Sequence, residues 1–193
     1  MTGVATHKTG ELQMTTTTQT ALPTGTWNID PVHSTVGFAV DYMVGTFNGS
    51  FSPVDARVEV TEDGQTLTGS APVAGVNVQD ENLVAHLQSP EFFDAERAPE
   101  ITFASKEIRR DGDAVEIDGD LTIKGKTLPV RATGSVTEPA DDPYGGVRYA
   151  LKLEAEVDRT EYGMTWNNPL PNGKPSLANR VKINAELYLV KGE

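Results

Sequence analysis

The chain has 193 residues, with 16 lysines and arginines against 28 aspartates and glutamates, for a formal charge of −12. That length suits one domain with a real core or a walled cavity, and that charge repels phosphate backbones and anionic lipid surfaces, which speaks against nucleic-acid binding. Cysteine is absent, which excludes disulfides, thiolate nucleophiles and thiolate metal sites together.

Residues 1–24 are Thr-rich and poor in apolar residues. They read as a disordered tail ahead of a domain over 25–193. The tail carries no run resembling a signal-peptide core, and no segment of the chain approaches the ~20 apolar residues of a membrane span. The expectation is a cytoplasmic protein without a membrane span.

From Trp27 onward the dominant period is two. Asp30-Pro31 starts a strand with Ser34, Val36, Phe38 and Val40 on one face, and His33 and Ser34 stand where it begins. Val54, Ala56, Val58 and Val60 alternate with Asp55, Arg57 and Glu59; Val115, Ile117, Gly119, Leu121 and Ile123 repeat the pattern. So do Val147, Tyr149, Leu151, Leu153, Ala155 and Val157, and finally Val181, Ile183, Ala185, Leu187 and Leu189. One wet face and one dry face define antiparallel sheet. Turn signals at Asp63-Gly64, Asp111-Gly112, Lys124-Gly125-Lys126 and Asp142–Gly146 separate the runs. Residues 79–98 break the rhythm and predict short helix, with Asp80 capping one turn and Ser89-Pro90-Glu91 opening a second. About nine strand segments with one helical insertion rule out a parallel α/β sheet.

The dry faces carry an unusual residue. Gly49, Gly69, Gly119 and Gly134 each sit at an inward position between apolar neighbours. Glycine weakens a strand, so either the sheet bends sharply there to close on itself, or volume is left for a ligand or another side chain. Both readings fit. If a cavity exists its walls are apolar, with Val36, Phe38, Phe47, Phe51, Phe103, Leu121, Leu151, Leu153 and Ile183 as candidates. Glu91–Asp94, with Phe93, and Tyr162–Trp166, with Met164 and Trp166, place bulky groups beside chain reversals. These form either the lip of a cavity or an ordinary capped end.

Catalytic signatures are sparse. No Gly-x-Ser-x-Gly elbow is present. His33 and His86 have no His-x-x-x-His partner to support a metal site, and each reads as a strand-to-helix staple or as a donor to a ligand head group.

The motifs converge on a family pattern. Trp27-x-x-Asp30-x-x-His33-Ser34-x-Val36-x-Phe38, Gly49-x-Phe51, His86-Leu87-x-Ser89-x-x-Phe92-Phe93-Asp94, Pro99-x-Ile101-x-Phe103-x-Ser105, Gly119-x-Leu121-Thr122-Ile123-Lys124-Gly125 with Pro129-Val130, Arg159-x-x-Tyr162-Gly163-Met164-x-Trp166 and Val181-Lys182-Ile183 occur in order. Over about residues 25–191 the chain resembles the YceI-like family of bacterial lipocalin-like, polyisoprenoid-binding proteins. It departs from that pattern at Val84-Ala85, where relatives often carry Arg-Asp. The resemblance implies an all-β, lipocalin-like antiparallel barrel of about eight strands with a short helical insertion, often dimeric. It implies a carrier of a polyisoprenoid or similar amphipathic lipid, with no cofactor, metal or catalytic residue. The ligand contacts expected are His33, Ser34, Val36, Phe38, Phe47, Phe51, His86, Phe93, Phe103, Leu121, Met164 and Trp166. The rivals are an enzyme for a lipophilic substrate using Asp30 and His33 as an acid–base pair, and an interaction scaffold with a filled barrel.

Overall fold

Alternation of apolar and polar residues makes strand the cheapest conformation along nearly the whole chain. The computed structural model describes residues 22–192, with elements β1 (Gly25–Ile29), β2 (Thr35–Tyr42), β3 (Gly45–Phe51), β4 (Asp55–Thr61), β5 (Gly64–Pro72), β6 (Val76–Asn77), α1 (Glu81–Gln88), β7 (Glu100–Asp111), β8 (Ala114–Ile123), β9 (Lys126–Val136), β10 (Ala140–Asp141), β11 (Val147–Asp158) and β12 (Leu177–Lys191). The segments fill eight positions of a closed antiparallel barrel, running β1–β4–β5–β7–β8–β9–β11–β12 and back to β1. Eight positions give an interior that side chains just fill, or that holds one small ligand.

β12 closes the ring. It pairs with β11 from Arg148↔Val190 to Asp158↔Arg180. On its other side it takes two short strands in succession, β1 through Ile29↔Leu189 and β2 through Ala185↔Val36 and Ile183↔Phe38. The neighbouring position is also split, with β4 against β1 and β3 against β2. The segment count therefore exceeds the nine expected. Wall positions are broken at residues 30–34 and 52–54, and β6 and β10 are only 2 residues long.

One end of the barrel is packed solid. Trp27, Ile117 and Leu189 are fully buried, and the Tyr149 ring stands edge-on to Trp27 at 4.9 Å. Burial pushes the Tyr149 hydroxyl well above its ordinary pKa. Leu22 joins this core at 6% exposure, and the Trp27 indole N–H donates to the Pro23 carbonyl at 3.1 Å. Leu22 and the Pro23 carbonyl, expected in the tail, are thus tied to the barrel; residues 1–21 of the expected tail lie outside the described residues.

The helix begins as expected, with the Asp80 carboxylate accepting from the Leu83 N–H at 2.9 Å. The second helical turn does not form. After Ser89 the chain runs in turns, with the Phe93 N–H donating back to Leu87 and Asp94 reversing the backbone at φ 56°. Phe92 and Phe93 are adjacent in sequence and both buried. This tight reversal accommodates both rings where a continued helix would swing one toward solvent.

Candidate functional site

Toward the helix end the core opens into a lumen of about 450 Å³. That is the range of small-molecule sites. Val36 and Phe38 from β2, Phe47 and Phe51 from β3, Phe103 from β7, Leu121 from β8, Leu153 from β11 and Ile183 from β12 line it. Phe93, His86, Met164 and Trp166 complete its helix end. Ten of the twelve expected contacts therefore lie on one surface. Leu151, a further wall candidate, belongs instead to the solid core.

The inward glycines explain how a barrel rich in phenylalanine stays hollow. Phe38 pairs across strands with Gly49, and a Cβ at Gly49 would overlap the Phe38 ring. Phe103 stands opposite Gly69, and a Cβ at Gly119 would come within 2.6 Å of Phe103 Cζ. The rings lie down over glycine instead of projecting across the barrel. Gly134 serves closure instead, pressed against the Lys152 carbonyl. Small side chains widen the remaining space, with Ala71, Ala132, Ala155 and Ala185 all facing the lumen. These alanines carried the same sequence signal as the glycines, small residues at inward positions, and were missed because alanine alone is unremarkable in a strand.

At the outer end aromatic rings replace aliphatic wall. His86 stands edge-on to Phe92 at 4.9 Å and to Trp166 at 5.1 Å, and its Nε2 contacts the Glu91 carboxylate at 2.7 Å. Phe51 and Phe93 meet edge-to-face at 5.5 Å just inside. Tyr42 and Leu83 finish the rim.

The loop carrying Met164 and Trp166 is organised by Arg159, which only its place in a motif distinguishes in the sequence. Arg159 is 3% exposed. Its Nη1 donates to the Met164 and Trp166 carbonyls at 2.5 and 2.9 Å, its Nε to Ala178 at 2.8 Å, and its Nη2 reaches Leu177 and Asn179. All five N–H donors are engaged, so the charge is held by backbone dipoles. Burial lowers its pKa from the usual arginine value. Lys124 adds a second tie, donating to the Pro90 carbonyl at 2.6 Å and the Gly163 carbonyl at 3.2 Å. The helical insertion and the Arg159 loop are thus clipped to one hairpin.

His33 and Ser34 lie elsewhere, against expectation. The chain leaves the wall between β1 and β2, which puts His33 on a solvent corner at 61% side-chain exposure, with its Nδ1 2.9 Å from Asp30. Ser34 is turned onto β12, where its hydroxyl engages the backbone of Tyr188. Neither lines the lumen. The strand alternation that suggested an inward Ser34 starts only at Thr35. His33 and His86 share no contact, and among the described residues no group of three His, Asp or Glu side chains could hold a metal ion. The hydrogen bonds from His33 and Arg148 hold the Asp30 carboxyl well below its usual range, at about 2. No helix among the described residues is long and apolar enough to cross a membrane.

A closed antiparallel barrel with an apolar lumen, roofed by a helix and an arginine-tied loop, belongs to the class of hollow small-ligand barrels. The YceI-like domain model matches residues 27–189, and the chain belongs to that family. A UPF0312 protein of Staphylococcus epidermidis is 29% identical over 164 residues, covering 82% of this chain and 94% of that one. Among solved structures, BcnA of Burkholderia cenocepacia superposes with a TM-score of 0.70 at 21% identity, covering 83% of this chain and 98% of its own. A polyisoprenoid binding domain from Saccharophagus degradans gives 0.63 at 9% identity over 86% of this chain and 98% of its own. At such identities these two likenesses show the fold alone.

Proposed function

We propose that this protein binds and carries a polyisoprenoid or similar amphipathic lipid in its lumen and performs no chemistry on it. The observation that carries this reading is the lumen itself, apolar along its walls and kept open by phenylalanine rings lying over glycine. Transfer of apolar ligand surface into it contributes about 25 cal/mol per Å² before ordering costs. The polyisoprenoid binding domain among its structural relatives supports the same ligand class.

The rivals fare worse. Neither Asp30 nor His33 lines the lumen, and His33 faces solvent, so the pair is out of reach of a molecule held inside. A filled barrel does not leave about 450 Å³. The homodimer implied by the family likeness belongs to the same reading and is checked by light scattering.

The test is occupancy of the lumen. Ala155 lines it, so Ala155→Trp fills it from the wall. Titration with a polyprenyl alcohol is expected to show saturable binding to the parent and at least tenfold weaker binding to Ala155→Trp. Equal binding to both would place the lipid elsewhere.

A further inference from the structure

The two interruptions of the wall lie side by side. Ladder pairing between the two split positions stops at Asn28↔Arg57 above and resumes at Val36↔Phe51 below. Between these points residues 30–34 and 52–54 cross without a ladder pair among the described residues. A recess of about 150 Å³ occupies the gap. Val36, Phe51 and Val54 line both this recess and the lumen.

The recess differs from the lumen in chemistry. Its sill is apolar, but its rim is made of Ser34, Thr35, Ser50 and Ser52. The Ser34 hydroxyl is taken up by Tyr188. Among the described residues the hydroxyls of Thr35, Ser50 and Ser52 have no hydrogen-bond partner. No charged side chain lines the recess. At the aromatic mouth, by contrast, His86 is tied to Glu91 and Arg159 has no donor to spare, which leaves the single Tyr42 hydroxyl there.

We propose that this side window is a second binding site, taking a neutral hydrogen-bonding group (an alcohol, phenol or carbonyl oxygen) of a molecule whose chain lies in the lumen. The proposal rests on the reading of the lumen as a lipid site and assigns the head group to the wall. Hydroxyls donate and accept, so they suit a group that does either. A phosphate there would meet no cation, on a protein with a net charge of −12. Val36, Phe51 and Val54 form the gate through which head and chain connect.

Three C15 isoprenoids separate the possibilities: the hydrocarbon farnesene, the alcohol farnesol and farnesyl phosphate, each titrated against the full chain and a Thr35→Val, Ser50→Ala, Ser52→Ala variant. The substitutions spare Ser34 and lie on the outer rim, and an unchanged melting temperature verifies the fold. In the parent, farnesol is expected to bind about tenfold tighter than farnesene, the effect of one or two hydrogen bonds. The variant is expected to bind farnesol no better than farnesene, with farnesene unaffected. Farnesol binding that the variant leaves unchanged would overturn the window while leaving the lumen intact. Tightest binding of farnesyl phosphate, insensitive to the variant, would move the head group elsewhere and overturn it too. Failure of all three to bind the parent would remove the lumen reading and the window with it.

Discussion

The Ser34 hydroxyl accepts a 2.9 Å hydrogen bond from the backbone N–H of Tyr188, 154 residues further along the chain. Tyr188 sits on β12 where the neighbouring wall position is broken, so its N–H faces a gap where a strand would otherwise accept. The Tyr188 carbonyl is satisfied from the same gap, by the Asp30 N–H at 2.7 Å. Ser34 is a substitute for one rung of the ladder. Ser34→Ala is expected to cost about 1 kcal/mol, the desolvation of one partly buried backbone donor, and to leave lipid affinity unchanged. Urea denaturation and lipid titration of the same variant check both halves.

The pairing of Phe38 with Gly49 makes a sharper prediction. A methyl at position 49 overlaps the end of the Phe38 ring and not backbone. The ring can move, and the space open to it is the lumen. Gly49→Ala is therefore expected to lose lipid affinity several-fold, with a stability cost of about 1–2 kcal/mol. Adding Phe38→Leu is expected to restore binding, as read by titration of the single and double variants.

Arg159 carries the mouth. Its removal strands the carbonyls of Met164, Trp166 and Ala178 that it now satisfies. Arg159→Met is expected to cost about 3–4 kcal/mol. Arg159→Lys keeps the charge but has three donors for five places, and is expected to fold with a faster lipid off-rate. Stopped-flow displacement measures that rate, using emission from Trp166.

Acid weakens one corner of the wall in a defined window. Asp30 joins His33 at 2.9 Å and Arg148 at 2.5 Å, and Arg148 reaches on to Asp142 at 2.5 Å. The folded-state pKa of Asp30 is depressed from 3.8 to about 2. Its contribution to stability is therefore fully present above about pH 4 and lost as pH falls through about 2. The stability difference between the parent and Asp30→Asn is expected to shrink across that interval. Urea midpoints measured from neutral pH downward follow it.

Much of this fold is legible in the sequence. Alternation along β8, β11 and β12 fixed which side chains face inward, because a one-residue slip would have exposed Leu121, Leu153 and Ile183. Asp80 announced its helix by capping chemistry. The inward glycines posed the right question but could not answer it, since whether a ring lies over Gly49 or stands away from it depends on cross-strand register. His33 and Ser34 were misplaced for a related reason. Local alternation cannot reveal that the strand is interrupted just before Thr35, which is settled by β12 pairing with β1 and β2 in turn. Arg159 escaped notice because its partners are carbonyls, which every sequence has everywhere.

A lipid held in the lumen is visible to native mass spectrometry of the gently purified full-length protein. The expected spectrum shows a mass above that of the chain, released by organic extraction and identified as a polyisoprenoid or related amphiphile, and lost in Ala155→Trp. Protein that is always at its bare mass, and stays so after incubation with polyprenyl lipids, would contradict it.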